Sequence, residues 1–125
     1  MFELNIKNET YKFDFNIGFA KKLNKTQAQE VPNMKGVYSD CGVSMAMAEI
    51  YDGNIFTLID VLHRANEGFA PRVTQAQLEE YVDDETTDIE KLVSDVLDFF
   101  GKSNSCKMLG KDTLKLIAEM EKASV

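Results

Sequence analysis

Phe2-Glu3-Leu4-Asn5-Ile6-Lys7-Asn8-Glu9-Thr10-Tyr11-Lys12-Phe13-Asp14-Phe15 decides how the rest of the chain is read. Phe2, Leu4 and Ile6 alternate with polar residues, and so do Tyr11, Phe13 and Phe15 after a polar break at Lys7 to Thr10. A period of two is the signature of a half-buried strand, so the stretch predicts a β-hairpin with one apolar face. Two isolated strands are marginal in water. Six large apolar side chains on one side therefore need a cover, and the downstream sequence offers helices for it.

The first candidate helix follows at once, from an Asn16 cap to about Lys25, burying Ile17, Ala20 and Leu23 despite the weakening effect of Gly18. Residues 26–37 contain Pro32 and Gly36 and lack a clean period, so they are read as a loop returning across the hairpin, with a third short strand possible at Gly36 to Tyr38. Ser39 or Asp40 is the expected cap of a helix to about Tyr51 carrying Val43, Met47 and Ile50, which Asp52-Gly53 stops. Ile55, Leu58, Ile59, Leu62 and Ala65 then follow helical spacing, with Phe56 and Val61 widening the stripe. Thr74 with Gln77 forms a capping box for a short helix, and Thr87 with Glu90 a second, opening the strongest helix, with Ile89, Leu92, Val93, Val96, Leu97 and Phe100 in one stripe. Gly101 stands where a left-handed C-cap is expected, residues 102–111 read as a polar linker, and a last helix runs from Asp112 to about Lys122. The expected architecture is α+β: an N-terminal β-hairpin packed on about five α-helices. One domain spans residues 1–125, divided into hairpin and first helix (1–25), loop (26–37), helical body (38–101), and linker with C-terminal helix (102–125). Phe13 and Leu97 are expected in one core.

At 125 residues and 44% hydrophobic content the chain can bury a core without disulfides or metals. Cys41 and Cys106 have no metal or redox spacing and are read as reduced thiols. No apolar run reaches the roughly 18 residues of a membrane helix, and no signal-peptide pattern opens the chain. A cytoplasmic protein with no membrane partner is expected. The net charge of −7 is unevenly placed: residues 79–98 hold nine acids against Lys91 alone, whereas residues 1–25 and 102–122 each hold five lysines against three acids. A phosphate backbone needs a clustered basic face, so nucleic acid is not an expected partner. Opposite charges at the middle and the ends suit weak, salt-sensitive head-to-tail association between copies.

No chemistry is legible. His63, the single histidine, lies mid-helix without a nucleophilic partner and is read as a surface residue. A calcium loop begun at Asp83 fails, because Asp88 and Ser94 occupy the positions that require glycine and glutamate. No phosphate-binding glycine loop occurs. Met45, Met47, Met108 and Met120 are read as gap-fillers of the core. No catalytic residue, metal ligand or cofactor is expected.

Several stretches together resemble the tail assembly chaperones of long-tailed bacteriophages of low-GC Gram-positive hosts. They are Phe2-Glu3-Leu4-Asn5-Ile6 with Tyr11-Lys12-Phe13-Asp14-Phe15-Asn16-Ile17-Gly18-Phe19, then Gln77-Leu78-Glu79-Glu80-Tyr81-Val82-Asp83-Asp84, the helix Ile89 to Gly101, and Lys102-Ser103-Asn104-Ser105 with Met120-Glu121-Lys122-Ala123. The resemblance implies a non-enzymatic protein of the host cytoplasm that binds the tape measure protein, keeps it soluble while tail tube subunits polymerise around it, and is absent from the mature virion. Contact with the tail tube protein is implied for a frameshift-extended form, of which this sequence resembles the short version. The alternative is a structural or adaptor subunit of a phage tail or prophage particle. For such a client the expected surfaces are the second face of the last helix, Leu116 and Met120, left over when Leu114, Ile117 and Ala118 turn to the core, and the acids Asp83, Asp84, Glu85 and Asp88, which suit lysine-rich segments.

Overall fold

The alternation of the opening residues takes shape as an antiparallel hairpin, β1 (Phe2–Ile6) and β2 (Glu9–Phe13), in a computed structural model that describes residues 1–123. Phe2 pairs with Phe13 and Leu4 with Tyr11, so the apolar side chains share a face. Lys7 and Asn8 alone make the turn, at φ 50° and 67°. Two successive positive φ values match the twist of the flanking strands, which is why Glu9 and Thr10 are already paired in β2.

Asn16 caps α1 (Ile17–Asn24), its Oδ1 accepting the Phe19 N–H at 2.9 Å. Phe19, Ala20 and Leu23 form the buried face; Ile17, expected inside, is exposed because a face centred on Phe19 and Leu23 turns the first residue outward. Residues 26–37 are not a loop across the hairpin. They contribute to a separate antiparallel pair, β3 (Ala28–Glu30) and β4 (Tyr38–Asp40), whose six residues are all exposed. Glu30 pairs with Tyr38, so that strand adds to this second sheet and not to the first.

Ser39 and Asp40 therefore lie in β4, and α2 (Gly42–Tyr51) starts after Cys41 with no local side-chain cap. Asn24 supplies a substitute from α1, its Oδ1 accepting the Val43 N–H at 3.2 Å. Gly42 permits this approach: a Cβ there would stand 1.9 Å from the Leu23 carbonyl oxygen. α3 (Ile55–Ala65) is capped by Asn54, which accepts from the N–H groups of Phe56 and Thr57. Leu58, Ile59, Val61, Leu62 and Ala65 are buried, but Ile55 and Phe56, in the first turn, face solvent. In α4 (Gln75–Asp83) the Thr74–Gln77 capping box is present in both directions. α5 (Ile89–Lys102) is capped by Asp88 instead of Thr87, whose hydroxyl donates to the Tyr81 carbonyl at 2.7 Å.

Two further corrections concern the C-terminal third. Gly101 is helical within α5, and its missing Cβ admits the Leu114 side chain, which would lie 3.1 Å away. The expected linker contains α6 (Asn104–Leu109), capped by Ser103, before α7 (Lys111–Ala123). The fold is thus α+β as expected, with seven helices and a second small sheet among the described residues.

α2 is the centre: α1, α3, α5, α6 and α7 all pack against it, and Val43, Met47 and Ile50 are inaccessible to solvent. The hairpin closes one side through a ladder of rings. Phe2 contacts Phe13 and Phe99 (centroids 5.8 and 5.1 Å), and Phe15 stacks on Phe100 (5.4 Å, 15°), which meets Phe19 edge-on. Phe13 is fully buried in the core against which Leu97 packs. Asn66 is fully buried among these apolar groups and joins three segments: its Nδ2 donates to the carbonyls of Lys12 and Pro71, and its Oδ1 accepts from the Val73 N–H (2.7 Å) and the Arg72 guanidinium (2.9 Å). Of the four methionines read as core, Met47 alone is buried; Met45, Met108 and Met120 are exposed. Cys41 and Cys106 are free thiols, and burial pushes the Cys106 thiol up from its ordinary pKa.

Candidate docking site

The last helix is held along one side only. The Thr113 and Ser44 hydroxyls share a hydrogen bond between α7 and α2, and Gly110 lets the turn before α7 sit against Met47. At the next turn Leu114 meets the end of α5 at Gly101. From that contact α5 and α7 run past each other with a groove of about 530 Å³ between them. Its floor is Val93 and Leu97 of α5 with Leu114 and Ile117 of α7, all half-buried. Its rim is acidic: Glu90, Asp95 and Asp98 on one side and Glu121 on the other, with no lysine or arginine in the lining. Two of these rim acids carry a lysine one helical turn away on α5, Asp95 paired with Lys91 and Asp98 with Lys102. Tyr51 reaches the groove from α2; partial burial and the Glu121 carboxylate beside it raise its pKa.

The six residues singled out in the sequence are placed on two separate surfaces. Leu116 and Met120 project from the outer side of α7, exposed at 59% and 54%, away from the groove. Asp83 ends α4 and Asp84 follows it, its carboxylate accepting from the N–H and hydroxyl of Thr86, which holds its pKa below the usual carboxylate range. Asp88 spends its carboxylate on capping α5, and Glu85 is exposed between them. Two of the four acids are thus structural ligands of their own backbone, and Asp83 and Glu85 are the ones that face solvent without such a role.

Asp84 also lines a second cavity of about 460 Å³, where the β1–β2 turn faces α4 and the loop that leads into α5. Tyr11 and Tyr81 line it, together with Lys7 and Glu80, which form an ion pair. Tyr11 is fixed there by the Gln77 amide, which donates to its hydroxyl at 3.1 Å. A cleft of this lining offers hydrogen bonds and a carboxylate to a cationic side chain. His63 stays apart from both cavities, its backbone carbonyl accepting from Arg72 at 2.7 Å.

The groove escaped the sequence reading although its four floor residues were each assigned to apolar stripes. The available signal was the width of the α5 stripe: Val93 and Leu97, one turn apart, adjoin the buried line Leu92, Val96 and Phe100, so the helix carries more apolar surface than a single packed side uses. Among the described residues no group of His, Cys, Asp and Glu is placed to hold a metal ion, and no helix is long and apolar enough to cross a membrane. A family model described as "Phage tail assembly chaperone protein, TAC" matches residues 3–115. Searches of curated proteins and of solved structures returned no match.

Proposed function

We propose, since the chain belongs to the phage tail assembly chaperone family, that it binds the tape measure protein of its phage and keeps that protein soluble while tail tube subunits polymerise around it. The observation that carries this reading is α7, which leaves apolar side chains uncovered on two sides: Leu116 and Met120 outward, Leu114 and Ile117 toward the groove. An apolar helix face bordered by charge suits transient capture of helical segments. Exposed Met45, Met108 and Met120 add an adaptable thioether surface, which tolerates clients of varied sequence. The role is one of binding and release without catalysis. It is carried out in the host cytoplasm, with tail tube protein reached through an extended form, and ends before the virion is complete.

Co-expression tests it directly. A tape measure fragment that aggregates alone should become soluble with the wild-type chain and be captured by it. A Leu116→Ala, Met120→Ala double variant of unchanged circular dichroism should capture less. Equal capture by that variant would move the client to another surface. Persistence of the chain in finished particles would instead favour a structural or adaptor subunit.

A further inference from the structure

The groove between α5 and α7 combines an apolar floor with an acidic rim. Its floor is apolar, with Val93, Leu97, Leu114 and Ile117 each left half-exposed by the packing of the helices around them. Its rim carries carboxylates on both banks, Glu90 and Asp98 on α5, the latter shared with the exposed Lys102, and Glu121 on α7 beside Tyr51; no lysine or arginine is among the described residues that line it. From Glu90 to Gly101 the α5 bank is about 16 Å long, or three helical turns. Gly101 and Leu114 bring the two helices together near one end of the groove, and an occupant of it lies along them.

We propose that this groove is the seat of one amphipathic helix whose apolar stripe is flanked by lysine or arginine. Such a helix places its stripe on Leu97 and Ile117 and its flanking cations against Glu90 and Asp98. An acidic helix of the same apolar stripe gains the floor contacts but sets its flanks against a rim of like charge, and a neutral one gains nothing from that rim. The rim thereby selects among apolar helices by the sign of their flanks. The proposal rests on the client-binding reading above and names the kind of client segment that this one site takes.

The probes are two synthetic peptides of about 18 residues, long enough for a five-turn helix, with one leucine stripe flanked by lysine in the first and by glutamate in the second. Fluorescence anisotropy with the full chain should show binding of the lysine peptide that weakens with added salt, and no comparable binding of the glutamate peptide. Amide shifts should move at Val93, Leu97 and Ile117. A Glu90→Lys, Asp98→Lys variant, both positions at the surface, should lose about tenfold or more in affinity for the lysine peptide. A Glu90→Gln, Asp98→Asn variant, which adds no new charge, should lose less. Equal binding of the two peptides, or unchanged affinity in the charge-reversed variant, would overturn the proposal. If the lysine peptide fails to bind while the wild-type chain still captures the tape measure fragment, the groove assignment falls and the client reading stands. If the peptide binds in the groove while the fragment is not captured, the groove assignment is supported and the tape measure reading falls.

Discussion

Asn66 ties together parts of the chain that nothing in their sequence connects. Its amide satisfies the Lys12 carbonyl at the end of β2, the Pro71 carbonyl and the Val73 N–H, all from a site without solvent access. Removing one partner of a buried hydrogen bond costs about 1–3 kcal/mol for each group left unmatched. Asn66→Ala should therefore lower unfolding free energy by at least about 3 kcal/mol in urea denaturation, more than its small apolar area accounts for. In the sequence the residue merely follows Ala65, the last of the apolar stripe, and a buried asparagine is written like an exposed one. His63 gives a second test at this scale. Burial first, and then the nearby Arg72 guanidinium, hold its pKa below the ordinary 6.5. The folded state thus binds a proton less readily than the unfolded chain. Stability is full above pH 6.5 and declines as pH falls from there toward the lowered value. His63→Gln should flatten that part of a stability-against-pH curve and leave the more acidic part, where the depressed carboxylates of Glu67 and Asp84 titrate, unchanged.

Elements were legible in proportion to the regularity of their buried side. β1, β2, α3 and α5 bury every second residue or a helical stripe, and each stood where its period put it. β3 and β4 bury nothing, so no period marks them, and the strands are held by backbone pairing and by surface hydrogen bonds, Asn24 Nδ2 donating to the Asp40 carbonyl and the Gly36 N–H to the Glu30 carboxylate. α6 is a single short helix with Cys106 as its buried anchor, and one anchor makes no pattern. The same reasoning explains the site. Uncovered Leu116 and Met120 followed from the two-sided pattern of one helix, whereas the groove belongs to two helices and needed their placement. α2 shows how a packing constraint can sit at a residue with no side chain at all. Gly42→Ala would drive a methyl into the Leu23 carbonyl, backbone that cannot yield cheaply, and against the Thr26 side-chain hydroxyl. A loss of about 2 kcal/mol or more is expected in denaturation, against the gain that alanine usually brings to a helix.

For the molecule as a whole, the placement of charge predicts how copies would meet. The acids of residues 79–98 and the lysine excess near both ends suit weak contacts that bury little apolar surface. Sedimentation at high protein concentration should show association that disappears as salt is raised, and a monomer at low salt would remove the idea. The exposed β3–β4 pair has another consequence, written in time instead of space. A two-stranded hairpin without a buried side has almost no free energy of its own to resist opening. Its amide protons at Gln29 or Ser39 should exchange with deuterated solvent within the earliest measurable interval, while those of Val61 and Val96 wait for global unfolding. Asn66→Ala should speed the second set and leave the first where it was. The chain then keeps two clocks, and only one of them is set by its core.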